Sequence, residues 1–195
     1  MSRNSQLVLE NSKSNLTEKN QIVIGNRIPR NYFVTRGRGE SDITIHAGSY
    51  HLALKEAGIE VCNIMTYSSI MPGISNEIKK PSCFVHGEVM ESIMAVAHSE
   101  KGERASAGII VGWLYDKKNG KRFGGLVCEH NGGYSKKEIK EKLKASLDEL
   151  YYNGFSEKYD LKEVCINVES IVPEKKHGTA LVGICFVDYA VPILG

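Results

Sequence analysis

The stretch from Ala107 to Gly154 constrains the fold more than any other part of the chain. Two apolar runs, Ala107 to Tyr115 and Phe123 to Glu129, flank the polar segment Asp116 to Arg122, and Asn119-Gly120 lies between them. Asn-Gly tolerates the positive φ values of a tight hairpin turn, which makes this the strongest hairpin signal in the sequence. Next comes Ser135-Lys136-Lys137-Glu138, a capping box. The Ser135 hydroxyl can accept from the backbone N–H of Glu138 while the Glu138 side chain reaches back. Ile139, Leu143, Leu147, Leu150 and Tyr151 then recur at helical spacing as one apolar stripe, and Asn153-Gly154 ends the helix.

The remaining pattern supplies one more helix and several strands. Gln21 to Ile28 reads as a first strand, and Thr35 to Asp42 (TRGRGESD) as a Gly- and Arg-rich loop. His46 to Ala57 reads as a helix, with Ala47, Tyr50, Leu54 and Ala57 on one face and Gly58 as the residue after its end. Val61 to Thr66 is short and apolar, as a buried strand would be, and runs into Tyr67-Ser68-Ser69-Ile70-Met71-Pro72-Gly73. Residues 83 to 131 look like an antiparallel meander broken at Lys101 to Arg104. Within it, Met90, Ser92, Met94, Val96 and His98 share one face and Glu91, Ile93, Ala95 and Ala97 the other. Both faces are partly apolar, so this strand is expected to be covered on both sides. Leu161 to Ser170 and Thr179 to Val187 are two further strands. Seven or eight strands and two helices predict an α+β layered sandwich of mostly antiparallel sheet. Residues 1–19, rich in Ser, Asn and charge, are expected to be a poorly ordered tail, and 20–195 a single domain.

Composition narrows the function classes. Hydrophobic residues make up 42% of the chain, enough for a core, and 25 basic against 23 acidic residues leave a net charge of +2. That balance gives no electrostatic case for a nucleic-acid partner or an anionic membrane. No apolar stretch approaches the ~20 residues that span a bilayer, and the first residues lack the apolar core of a secretory signal. The five cysteines (62, 83, 128, 165 and 185) are odd in number and widely spaced, with no C-x-x-C. A reduced, cytoplasmic protein with neither a zinc knuckle nor a dithiol site is the simplest reading. His46, His51, His86 and His98 have no ligand spacing, so no metal is expected.

The segment with chemical potential is Ser68-Ser69. A serine hydroxyl can attack the carbonyl of the preceding residue when a strand-to-turn transition presents it, converting the amide to an ester. β-Elimination of that ester leaves dehydroalanine, which hydrolyses to a ketone, the pyruvoyl group. Two adjacent serines at a strand end are common, and spacing alone does not separate this chemistry from simple capping.

A resemblance does separate them. Gly58-Ile59, Asn63-Ile64 and Ser68-Ser69-Ile70-Met71-Pro72 together look like the cleavage region of pyruvoyl-dependent arginine decarboxylases. In that family an apolar strand ending in Glu precedes a helix opening Ser-Lys-Lys-Glu, as Gly125 to Glu129 and Ser135 to Glu138 do here. Gly37-Arg38-Gly39-Glu40-Ser41-Asp42 is similar to a loop of some bacterial members. The resemblance runs from about residue 33 to 187 in element order. It implies self-cleavage between Ser68 and Ser69, into fragments 1–68 and 69–195, with Ser69 becoming the covalent pyruvoyl cofactor. It implies that Asn63 positions the site and that Glu129 protonates the substrate carbon once CO₂ has left, which needs a shielded carboxyl. It also implies a trimer or dimer of trimers, with the site between neighbouring subunits and Glu129 serving across the interface.

One position departs from the family. The arginine enzymes carry an Asp on the first helix that meets the substrate guanidinium, and His51 stands there. Imidazole is a poor partner for a permanent cation. Either Asp42 or Glu40 takes over, or the substrate is another amino acid, such as ornithine, lysine or an acidic one that Arg36 and Arg38 could meet. From a different class, the alternative is a homologue that never cleaves and serves as an oligomeric binding or structural subunit.

Overall fold

A computed structural model describes residues 24–193 of the chain. The tail expected at residues 1–19 and the start of the strand expected at 21–28 lie outside the described residues. Residues 28–189 form one compact unit, and the described ends, 24–27 and 190–193, belong to a second. In the second, Ile24 makes an isolated antiparallel bridge to Ile193, and Gly25 N–H donates to the Pro192 carbonyl at 2.7 Å.

The principal elements of the larger unit are β1 (Asn31–Ser41), a π-helical turn (Ile45–Tyr50) leading into α1 (His51–Ala57), β2 (Asn63–Thr66), β3 (Ile70–Pro72), β4 (Asn76–Glu77), β5 (Val89–Glu100), β6 (Ala105–Asp116), β7 (Arg122–Gly132), α2 (Lys136–Gly154), β8 (Tyr159–Ile171) and β9 (His177–Phe186). One sheet has the order β2-β5-β9-β1-β4 and the other β3-β7-β6-β8. Pairing is antiparallel except for the short β1–β4 and β2–β5 ladders. Over the described residues the chain is therefore α+β, with mostly antiparallel sheets and two α-helices.

Alternation along the strands explains the layers. On β6, Ile109, Val111 and Trp113 face Ile93, Ala95, Ala97, Ala180, Val182 and Ile184 of the opposing sheet. The intervening Ile110 and Leu114 pack with Leu126 beneath Ile139, Leu143 and Leu147 of α2. On the far face of the other sheet, Ala53, Leu54 and Ala57 of α1 pack on Phe33, Met90, Leu181 and Cys185. The stack is helix, five-stranded sheet, four-stranded sheet, helix. The capping box of α2 forms as expected: Ser135 Oγ accepts from Glu138 N–H at 3.2 Å, and Ser135 N–H donates to Glu138 Oε2 at 2.8 Å. Replacing Ser135 by Ala should cost about 0.5–2 kcal/mol of stability, read as a lowered urea midpoint with an unchanged slope.

Four local expectations change. Thr35 to Ser41 is part of β1 and not a loop, paired with β9 throughout. Its glycines make room for α1: a Cβ at Gly37 would collide with the Ala53 carbonyl oxygen, and one at Gly39 with that of Ser49. The first helix begins as a π-turn, whose wider winding turns Gly48 and Ser49 inward and leaves Ala47 exposed. β5 and β6 are not neighbours in a meander; the Lys101–Arg104 turn carries the chain from one sheet to the other, and only β6–β7 is a hairpin. Both strands are apolar on two faces because the opposing sheet covers one face of each and a helix covers the other. Finally, β2 is an edge strand with Met65 52% exposed, not a buried one, since β5 covers only one of its sides.

Candidate active site

The segment joining β2 to β3 passes from one sheet to the other, and Ser68-Ser69 lies in the crossing. Tyr67 N–H still donates to the Ser92 carbonyl of β5 at 2.7 Å. Two residues later the Ser69 carbonyl accepts from Val127 N–H of β7 at 3.0 Å, and β3 continues along β7 with Ile70 opposite Leu126. Each flank of the Ser68–Ser69 bond is thus tied to a different sheet. Ser68 is exposed and Ser69 half-buried.

This register brings Ser69 to Glu129. Ser69 lies opposite Val127, and Glu129, two residues farther along β7, projects from the same face. Ser69 Oγ lies within hydrogen-bond reach of both carboxylate oxygens, 3.0 Å from Oε1 and 2.8 Å from Oε2. Val127 is buried in the core between the sheets, so the pair sits at the rim of that core and Glu129 is half-buried. Next to it, burial and then the charge of Glu129 push the Cys128 thiol up to about 11, which keeps it an unreactive neighbour.

Tyr67 and Glu91 are absent from the sequence-based site. The Tyr67 hydroxyl donates a hydrogen bond to Glu91 Oε2, and the ring packs on Phe186 with centroids 5.7 Å apart. Glu91 is only 2% exposed. A buried carboxylate needs hydrogen-bond partners, and Tyr67, the residue before the serine pair, provides one. A signal was present in the sequence, because Glu91 interrupts the apolar face formed by Ile93, Ala95 and Ala97.

The other candidates go elsewhere. Asn63 Nδ2 donates to the Gly87 carbonyl at 2.8 Å. Glu40 Oε2 accepts from the backbone of Glu174 and Lys175, and Asp42 Oδ1 from Lys176 N–H, so both shape the 174–176 loop. His51 is exposed on α1. Arg36 pairs with Glu169 at 3.8 Å and Arg38 with Glu56 at 3.9 Å. Among the described residues, no hydrogen bond joins Asn63, His51, Asp42 or Glu40 to Ser69 or Glu129. Nor do three or more His, Cys, Asp or Glu cluster to hold a metal ion there. Among the described residues, no helix is long and apolar enough to cross a membrane. Ser69 and Glu129 meet within one chain.

A ketone made from residue 69 fits this arrangement: the hydroxyl that would start the reaction already meets a carboxylate, and the exposed Ser68 leaves a released chain end room to move.

The family model for pyruvoyl-dependent arginine decarboxylase matches residues 31–191. A pyruvoyl-dependent arginine decarboxylase AaxB of Chlamydia muridarum is 30% identical over 190 residues, covering 85% of this chain and 94% of that protein. The AaxB of Chlamydia pneumoniae is 36% identical over 122 residues, covering 56% of this chain and 62% of its own length. A pyruvoyl-dependent arginine decarboxylase of Methanocella arvoryzae is 33% identical over 110 residues, covering 54% of this chain and 64% of its own length.

Proposed function

Since the chain belongs to the pyruvoyl-dependent arginine decarboxylase family, we propose that it cleaves itself between Ser68 and Ser69 and then decarboxylates L-arginine to agmatine and CO₂. The observation that carries this reading is the bond from Ser69 Oγ to both oxygens of Glu129.

In the cleavage, the Ser69 hydroxyl gives its proton to Glu129 and its oxygen attacks the Ser68 carbonyl carbon. The C–N bond breaks, Ser69 nitrogen takes a proton, and the peptide becomes an ester. Loss of the Ser69 Cα proton then breaks the Cβ–O bond, so Ser68 leaves as a carboxylate and residue 69 becomes dehydroalanine. Tautomerisation and addition of water release ammonia and leave the ketone. In turnover that pyruvoyl group supplies an electrophile for the substrate amine and accepts the electrons freed with CO₂. Glu129, at the rim of the inter-sheet core, is the group that returns a proton to the substrate carbon, the work of a general acid. Asn63 orders the chain that leads to the serines, through its hold on Gly87.

The active form is a cytoplasmic homo-oligomer, a trimer or a dimer of trimers. Supporting this, Met65, Ile70 and Phe123 are exposed large hydrophobic side chains on β2, β3 and β7, and all five cysteines are free. Mass spectrometry of the purified protein tests the reading. The expected result is one fragment ending at Ser68 and one beginning at residue 69 that is lighter than a serine start by one ammonia, together with agmatine formed from arginine. An intact chain after long incubation would point to a non-cleaving structural homologue.

His51 favours a second reading, the same chemistry on ornithine, lysine or an acidic amino acid. The variant His51→Asp discriminates: arginine turnover should rise by up to roughly fivefold, the effect of about 1 kcal/mol from one added exposed ion pair. An unchanged rate on arginine removes position 51 from substrate recognition.

A further inference from the structure

We propose that the main-chain N–H of Ile70 is the oxyanion donor for the first step of self-cleavage. This rests on the reading that Ser68–Ser69 is cut, and adds the group that stabilises the charge formed there. Ile70 N–H donates to the Ser68 carbonyl oxygen at 3.0 Å, closing a three-residue turn over Ser69. That oxygen belongs to the carbonyl attacked by Ser69 Oγ. As Oγ bonds to the Ser68 carbon, the C=O electron pair moves onto this oxygen, and a donor at 2.7–3.1 Å from the developing charge is what lowers such a barrier.

The register explains why this N–H is available. Ile70 stands opposite Leu126, and the bond between β3 and β7 on its N-terminal side runs from Val127 N–H to the Ser69 carbonyl. Ile70 and Leu126 are therefore a non-hydrogen-bonded pair, and Ile70 N–H points away from β7 instead of into the ladder. Tyr67 N–H on Ser92 and the Tyr67 hydroxyl on buried Glu91 hold the other flank. The two anchors keep Ser68 carbonyl and Ile70 N–H facing each other before any charge develops. Glu129 and Ile70 then divide the step: the carboxylate takes the Ser69 hydroxyl proton while the amide steadies the oxyanion. Collapse breaks the C–N bond and returns the proton to Ser69 nitrogen, so amide becomes ester with no atom gained or lost.

The full-length chain tests this. Ile70→Val, the reference for any effect of the side chain alone, keeps the N–H. Ile70→Pro removes it, and cleavage, followed by mass spectrometry after synthesis, should slow by about 10²–10³-fold, the effect of losing one oxyanion donor. Because proline also restrains Ser69, a second chain made by cell-free synthesis carries an ester oxygen in place of the Ile70 N–H. It should be slowed comparably. Hydroxylamine, which cuts esters, should not release a fragment ending at Ser68 from Ile70→Pro, since the ester does not accumulate. Processing of both N–H-lacking chains within a few-fold of wild type overturns the assignment, as does prompt hydroxylamine cleavage of Ile70→Pro after Ser68. A wild-type chain that stays whole overturns the self-cleavage reading itself, and this one with it.

Discussion

The variant Glu129→Gln should lower arginine decarboxylation by about 10²–10⁴-fold, the range for removal of a general acid–base group. The amide is nearly the same size and can still accept from Ser69 Oγ, so packing at the rim of the core is kept. What it lacks is a proton that can be taken up and returned. Ser69 hydroxyl faces both carboxylate oxygens at 2.8 and 3.0 Å, so cleavage should slow as well. The two effects separate experimentally. Mass spectrometry gives the fraction of chains cut, and the decarboxylation rate is then divided by that fraction. A rate per cut chain equal to wild type would remove Glu129 from turnover, while normal cleavage would remove it from processing.

Leu143→Ala should have the largest effect on stability, about 2–5 kcal/mol. Leu143 is fully buried in the middle of the apolar stripe of α2. It fits against the hairpin because β6 carries a glycine beneath it: a Cβ at Gly108 would lie 2.9 Å from Leu143 Cδ1. Truncation leaves a cavity that β6 and β8, hydrogen-bonded along their length, cannot collapse to fill. Urea unfolding with an unchanged slope measures the loss. A loss below about 1 kcal/mol would show that α2 contributes little to holding the four-stranded sheet, contrary to this packing.

Much of this was legible locally. The α2 capping box and stripe, the Asn119-Gly120 hairpin and the end of α1 at Gly58, where φ is 73°, depend on residues a few positions apart, and short-range geometry decides them. The Gly37/Gly39 stretch reads locally as a loop and folds as a strand, for the opposite reason. Glycine there answers to a helix that packs on the strand from residues 49–53, and nothing within β1 itself announces that close approach. The π-turn before α1 and the transfer of the chain between sheets at Lys101–Arg104 are likewise outcomes of packing against distant neighbours.

The candidate site divides along the same line. Ser68-Ser69 and Glu129 could be picked from the sequence because the motifs around them resemble a family. Their meeting across 60 positions is a matter of antiparallel register between β3 and β7. Glu91 beneath Tyr67 and the Ile70 N–H turned back on Ser68 are set by tertiary structure alone. The sequence by itself determined the elements with short-range signals, such as α2 and the β6–β7 hairpin, and which residues have the chemistry to react. Only the folded sheets decided which of those residues touch, because a hydrogen-bond ladder can be read only once both of its strands are in place.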